Sequence, residues 1–183
     1  MQAQKWNSSI KFPNDNYVLR VIEEGFAPSK GSGNPMITLT TETVGLLKND
    51  GTTTPEVDVG GDLYLITEIK ITSYYPTIVF SLDADRTIDE VKTQKAQERV
   101  KELYEKFGMD NSNINFENPV LGFKGKQVMV YLQDEAKPKR RSPTKAQLEQ
   151  GIREGEVIVN PVTREAVVDH WPRLNRVYGL ATS

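Results

Sequence analysis

The chain has no cysteine and a single histidine, His170, among its 183 residues. The first absence excludes disulfides and thiolate chemistry, and it agrees with a cytoplasmic location. The second leaves no pair of imidazoles for a zinc site. Long apolar runs are also missing. Stretches such as Leu63–Ile66 and Val128–Leu132 fall far short of the roughly 20 residues that cross a bilayer, so no membrane partner is expected. Met1 to Ser9 is polar and no apolar segment follows it, which predicts no secretory leader. There is no excess of positive charge either. The net charge is −2, which argues against an indiscriminately basic nucleic-acid coat.

The charge that is present is unevenly spread. Residues 120–183 carry 11 Lys and Arg against 7 Asp and Glu, leaving 12 against 18 for residues 1–119. A basic segment on an acidic body can make a local electrostatic footprint, or it can be ordinary surface variation. A hydrophobic share of 37% beside a charged share of 26% belongs to a folded globular chain rather than a disordered one. The length suits one domain, 1–183, with a basic loop or arm around 136–165.

Asn16 to Phe26 reads as a strand, in which Tyr17, Leu19, Val21 and, after a slip, Phe26 alternate with polar or smaller residues. Pro28 to Pro35 is dense in turn residues and cannot continue it. Met36 to Val44 alternates again, with Ile37, Leu39 and Thr41 against Thr38, Thr40 and Glu42, and forms a hairpin with the first strand. Lys48 to Gly61 is a polar loop. Asp62 to Leu82 is a long β stretch, bent at Tyr74-Tyr75-Pro76 because proline supplies no ladder donor. Thr87 and Glu90 have capping-box spacing. Ile88, Val91, Val100, Leu103, Tyr104 and Phe107 then follow a helical period up to Gly108, which predicts a helix over 87–107. Lys126 to Gln133 is a strand with Val128, Val130 and Leu132 on one face and Met129 and Tyr131 on the other. Lys137 to Pro143 reads as a proline-broken basic loop or mobile arm, 144–156 as a short helix, and Val157–Val159, Ala166–Val168 and Leu174–Leu180 as strand pieces.

Strand, strand, long bent strand, helix, strand, strand is the order of a five-stranded OB-type barrel with its helix between strands three and four. The fold expected is therefore mainly β with one principal helix.

Two segments carry a resemblance. Tyr17-Val18-Leu19-Arg20, then Pro28-Ser29-Lys30-Gly31-Ser32-Gly33-Asn34-Pro35-Met36-Ile37 up to Glu42, resembles the opening of a family of small single-stranded DNA-binding proteins encoded by bacteriophages. Leu121-Gly122-Phe123-Lys124-Gly125-Lys126-Gln127-Val128 is similar to that family's hydrophobic-Gly-Lys lead into strand four. The two cover about a quarter of the chain, and 136–165 matches no such pattern. The resemblance implies an OB fold and protection of single-stranded DNA in phage replication or recombination. Location would then be the host cytoplasm, with replication proteins as partners. The residues themselves do not distinguish DNA from RNA.

A single-strand binder needs cations for phosphates and flat rings for bases. Candidate cations are Arg20, Lys30, Lys70, Lys124, Lys126, Arg173 and Arg176, with Lys137, Lys139, Arg140 and Arg141 forming the densest cluster. Prolines 138 and 143 would keep that cluster extended as a phosphate-tracking arm or a solvated loop. The glycines beside Lys30 would let backbone N–H groups approach a phosphate, or simply keep a hairpin flexible. Candidate rings are Tyr64, Tyr74, Tyr75, Tyr131 and Trp171. Each has two readings, stacking on a base or packing in the fold, and Trp171 can equally cap the barrel end.

Catalytic constellations are sparse. Asp58 with Asp62, and Asp83 with Asp85, lack the spaced Glu or His of a metal site and read as surface turns. No nucleophile elbow, P-loop, zinc spacing or dinucleotide fingerprint occurs. No enzyme activity, metal or cofactor is expected. A second reading, a β-rich virion or host-takeover protein that binds another protein, remains open, but such a scaffold would not need a basic arm interleaved with aromatics.

Overall fold

A computed structural model of the chain describes residues 2–181; Met1, at the head of the polar N-terminal stretch, and Thr182 and Ser183 lie outside the described residues. Eleven elements follow one another: β1 (Gln4–Lys5), β2 (Asp15–Pro28), β3 (Pro35–Leu47), β4 (Thr53–Thr54), β5 (Glu56–Val59), β6 (Asp62–Leu65), β7 (Lys70–Pro76), α1 (Glu90–Lys106), β8 (Gln127–Pro138), α2 (Lys145–Glu149) and β9 (Val168–Leu180). The protein is mainly β, with one principal helix and a short second one. The larger sheet runs β4-β3-β2-β8-β9, with β7 paired to the other part of β3. A small sheet, β1-β6-β5, shares no ladder with it among the described residues, but packs Val57, Val59 and Tyr64 into the same core. Neighbours in the large sheet are antiparallel. The long strands therefore lie side by side as β7-β3-β2-β8-β9. No ladder joins β7 to β9 among the described residues, so the sheet is open there.

The alternation in β3 decides which face is buried. Ile37, Leu39, Thr41 and Thr43 point inward, toward Leu19 and Val21 of β2, Ile71 and Tyr75 of β7, and Val128, Val130 and Leu132 of β8. Two of these inward positions are threonines, and both are satisfied. Thr41 Oγ1 donates to the Ile71 carbonyl at 3.1 Å, while Thr43 Oγ1 donates to the Ile66 carbonyl and accepts from the Ile69 N–H. Bulges between Val18 and Leu19 and between Val21 and Glu23 make the expected slip in β2. Val100, Leu103 and Tyr104 of α1 and its C-cap Phe107 close one side of the core, with the rings of Tyr104 and Phe107 edge-on to Phe123. Burying side chains of this size contributes about 1.5–3 kcal/mol each.

Several boundaries differ from the sequence expectation. The 48–61 loop contains β4 and β5. Gly45 is needed at this corner, because a Cβ there would sit 2.6 Å from the Thr54 carbonyl oxygen. The long stretch 62–82 is two strands, β6 and β7, broken at 66–69, where Glu68 has φ 66. Pro76 ends β7 rather than bending it. Helix α1 begins at Glu90, capped by Asp89, whose carboxylate accepts from the Lys92 N–H at 3.0 Å. The Thr87–Glu90 box does not form: Thr87 is tied to Ser81, its carbonyl accepting from the Ser81 N–H and its hydroxyl 3.2 Å from the Ser81 hydroxyl, and the cap falls two residues later; Ile88 and Val91 are left exposed. Gly108, at φ 68, stops the helix as expected. The basic segment is not a free arm. β8 runs through Pro138, and the chain beyond it folds back, with Lys139 N–H on Val167 O, Ile158 N–H on Lys139 O and Arg141 N–H on Glu156 O. The last strand pieces merge into one long β9, while Val157 and Val159 make only isolated bridges.

Residues 2–14 form a strap across the lower edge of the sheet. β1 pairs in parallel with β6, the Ser8 carbonyl accepts from the His170 N–H, and the Phe12 N–H donates to Asp134. No helix among the described residues is long and apolar enough to cross a membrane.

Candidate nucleic-acid interface

The open seam between β7 and β9 is a cleft of about 430 Å³. β7 supplies Tyr74 and Tyr75, β9 supplies Trp171, Arg173 and Arg176, and α1 adds Arg99, Glu102 and Lys106. Antiparallel strands use alternate residues for pairing. Thr43 N–H reaches Ile69 O and Thr77 N–H reaches Pro35 O, so the odd-numbered residues of β7 bond to β3. Thr72 and Tyr74 are left with backbone groups toward the seam. On the opposite wall Pro172 carries no N–H, a residue suited to an unpaired strand edge.

The two kinds of ring differ. Tyr74 is 57% exposed and Trp171 47%, and both open onto the cleft. Trp171 is backed by the buried Trp6, ring centroids 5.7 Å apart, whose Nε1–H donates to the Ile10 carbonyl. Tyr75 is buried and faces the core; the Arg99 guanidinium sits 4.9 Å from its ring. Burial pushes the Tyr75 phenol up, against a smaller downward pull from Arg99. Tyr75 therefore packs rather than stacks. Arg176 lies 5.3 Å from the Tyr178 ring. Four cations, Arg99, Lys106, Arg173 and Arg176, share the cleft with two carboxylates, Glu102 and Glu135.

The other expected residues are dispersed. Arg20 is paired with Glu42 at 3.3 Å, and Lys70 stands opposite the same Glu42 in register, away from the cleft. Lys30 is exposed on the β2–β3 hairpin at the far end of the sheet. Its neighbours Ser29 and Gly33 use their N–H groups on Asn34 O and Ser29 O, which closes the base of the hairpin. Lys124 is exposed in the turn before β8. The Lys126 ammonium donates to the Phe107 carbonyl at 3.0 Å, which caps the end of α1. Tyr64 belongs to the small sheet, half-buried against the core. Tyr131 is half-buried on the outer face of β8, in register with Asn16 and Arg176. Lys137, paired with Glu135 at 3.4 Å, stands two residues below the cleft, and Lys139, Arg140 and Arg141 lie beyond it, with Arg140 paired to Glu154 at 3.7 Å. Asp58 accepts from the Gly61 N–H and Asp83 from Ser81, both within turns.

Arg99, Glu102 and Lys106 went unrecognised in the sequence. Their spacing of three and four puts them on one face of α1, which reads as an ordinary solvated stripe until β7 and β9 are brought beside it. Neither a protein-family model, nor a curated protein, nor a solved structure matches this chain.

Proposed function

We propose that the protein binds single-stranded nucleic acid, DNA in the first instance, in the β7–β9 cleft of an OB-type frame, and that it does so without chemistry. One observation carries the reading: two exposed rings, Tyr74 and Trp171, face a single cleft that also holds Arg99, Lys106, Arg173 and Arg176. Stacking platforms beside cations are what a sequence-tolerant single-strand binder requires. The strand order supports the frame. Counting the long strands along the chain, the first neighbours the second and fourth, the second neighbours the third, the fourth neighbours the fifth, and the helix falls between the third and fourth. That suits a partly open, five-stranded Greek-key barrel whose seam lies between the third and fifth. The biological role consistent with the resemblance of the hairpin is protection of single strands during phage replication or recombination.

Fluorescence anisotropy with labelled oligo-dT, oligo-U and duplex of equal length tests the reading. Preference for single strands is expected, with affinity falling as salt rises. Equal binding to duplex, or no binding at low salt, overturns it.

A further inference from the structure

We infer that the lower end of the molecule is a self-association surface, through which two copies of the chain pair about a two-fold axis. The segment 137–145 holds five cations, Lys137, Lys139, Arg140, Arg141 and Lys145, and no acid. The segment 49–69 holds five acids, Asp50, Glu56, Asp58, Asp62 and Glu68, and no cation. Among the described residues none of those five acids has an ion-pair partner, and only Lys137 and Arg140 of the cations do.

Both segments lie at one end of the sheet. Tyr17 near the start of β2 pairs with Leu46 near the end of β3, and Asp15 pairs with Leu132 of β8. β3 and β8 therefore both run out past the start of β2 at the same end of the sheet, β8 continuing beyond Leu132 as far as Pro138. The strap ties the two regions together, since Lys5 pairs with Leu65 of the acidic sheet and Ser8 holds His170 at the base of the basic extension.

The extension also exposes apolar side chains, including Leu148 and Ile152 around α2 and Val159 and Val162 on the 158–167 fold-back, and nothing among the described residues covers them. A two-fold contact is self-complementary. Joining two chains end to end would set each basic 137–145 segment against the partner's acidic 49–69 segment, twice, and bring those side chains out of water. Charge complementarity selects a second copy as the occupant, because the same chain carries the matching surface.

Sedimentation equilibrium of the full chain without nucleic acid tests this. A dimer is expected at low ionic strength, weakening as salt rises. Asp62→Lys with Glu68→Lys should weaken it by at least about tenfold, as should Lys139→Glu with Arg141→Glu, since like charges then face each other. All four side chains are exposed and make no hydrogen bond that the fold needs, and thermal melting checks that the variants remain folded. The four changes combined should restore the dimer. A monomer at every salt concentration overturns the inference, as does a dimer indifferent to either paired reversal or a combined variant that stays monomeric. If Lys139→Glu with Arg141→Glu leaves the mass unchanged but weakens oligo-dT binding, the basic segment serves nucleic acid instead.

Discussion

Trp6 and Trp171 meet edge to face, ring centroids 5.7 Å apart, with Trp6 buried and Trp171 half-exposed at the mouth of the cleft. The strap thus fixes the back of one indole and leaves its front to solvent. Trp171→Ala and Tyr74→Ala should each cost about 1–3 kcal/mol in oligo-dT affinity. Phenylalanine at either position should be nearly neutral, because stacking uses the ring. Tyr75→Ala should instead lower the melting temperature. Normal affinity for both exposed-ring variants, with melting unchanged, would remove stacking from the mechanism.

Electrostatics can be read separately. Arg173 and Arg176 both line the cleft, and each phosphate contact on a single strand contributes about 0.7 to the slope of log K against log salt. Replacing both by alanine should flatten the slope by about twice that amount. An unchanged slope would place the phosphate path elsewhere, with Lys30 or the 137–141 segment next to be tested.

The buried Asp134 ties three segments together. Its side chain is 6% exposed and accepts from the Phe12 N–H at 3.1 Å, and it lies 2.8 Å from His170 Nδ1. Asp134→Ala leaves those groups without an acceptor, so urea denaturation should show a loss of about 1–3 kcal/mol. Stability equal to the parent chain would mean the strap is held without Asp134, by the β1–β6 ladder, the Ser8–His170 bond and the Trp6–Phe12–Tyr17 ring contacts.

Alkaline titration provides a check on packing. Burial pushes the phenols of Tyr17, Tyr75 and Tyr104 up, with Asp15 adding to the effect at Tyr17 and Glu24 at Tyr104. The folded state then holds these protons more tightly than the unfolded chain. Their contribution to stability is complete below about pH 10 and is lost as pH rises beyond it. Ultraviolet absorbance should show part of the tyrosine ionisation arriving together with unfolding. Full ionisation of all tyrosines while circular dichroism remains native would contradict the burial.

The sequence by itself determined the local parts of this protein. Period-two alternation in 36–44 and 128–132 set which side chains of β3 and β8 face inward, because strand side chains alternate whatever their neighbours. Gly108 set the end of α1, since only a residue tolerant of positive φ closes it cheaply. The hairpin at Pro28–Pro35 followed from its turn residues. The tertiary structure decided everything that depends on which elements meet. Asp89 rather than Thr87 caps α1, because Thr87 is held by Ser81 across the preceding loop, and Ile88 and Val91 stay outside. Lys126 caps a helix and Tyr75 fills the core, although both have the composition of binding residues. The cleft itself joins residues 74, 99, 106, 171, 173 and 176, the first and last about a hundred positions apart. No local pattern encodes such a meeting, since it arises only when the two edge strands curl toward each other across the same helix.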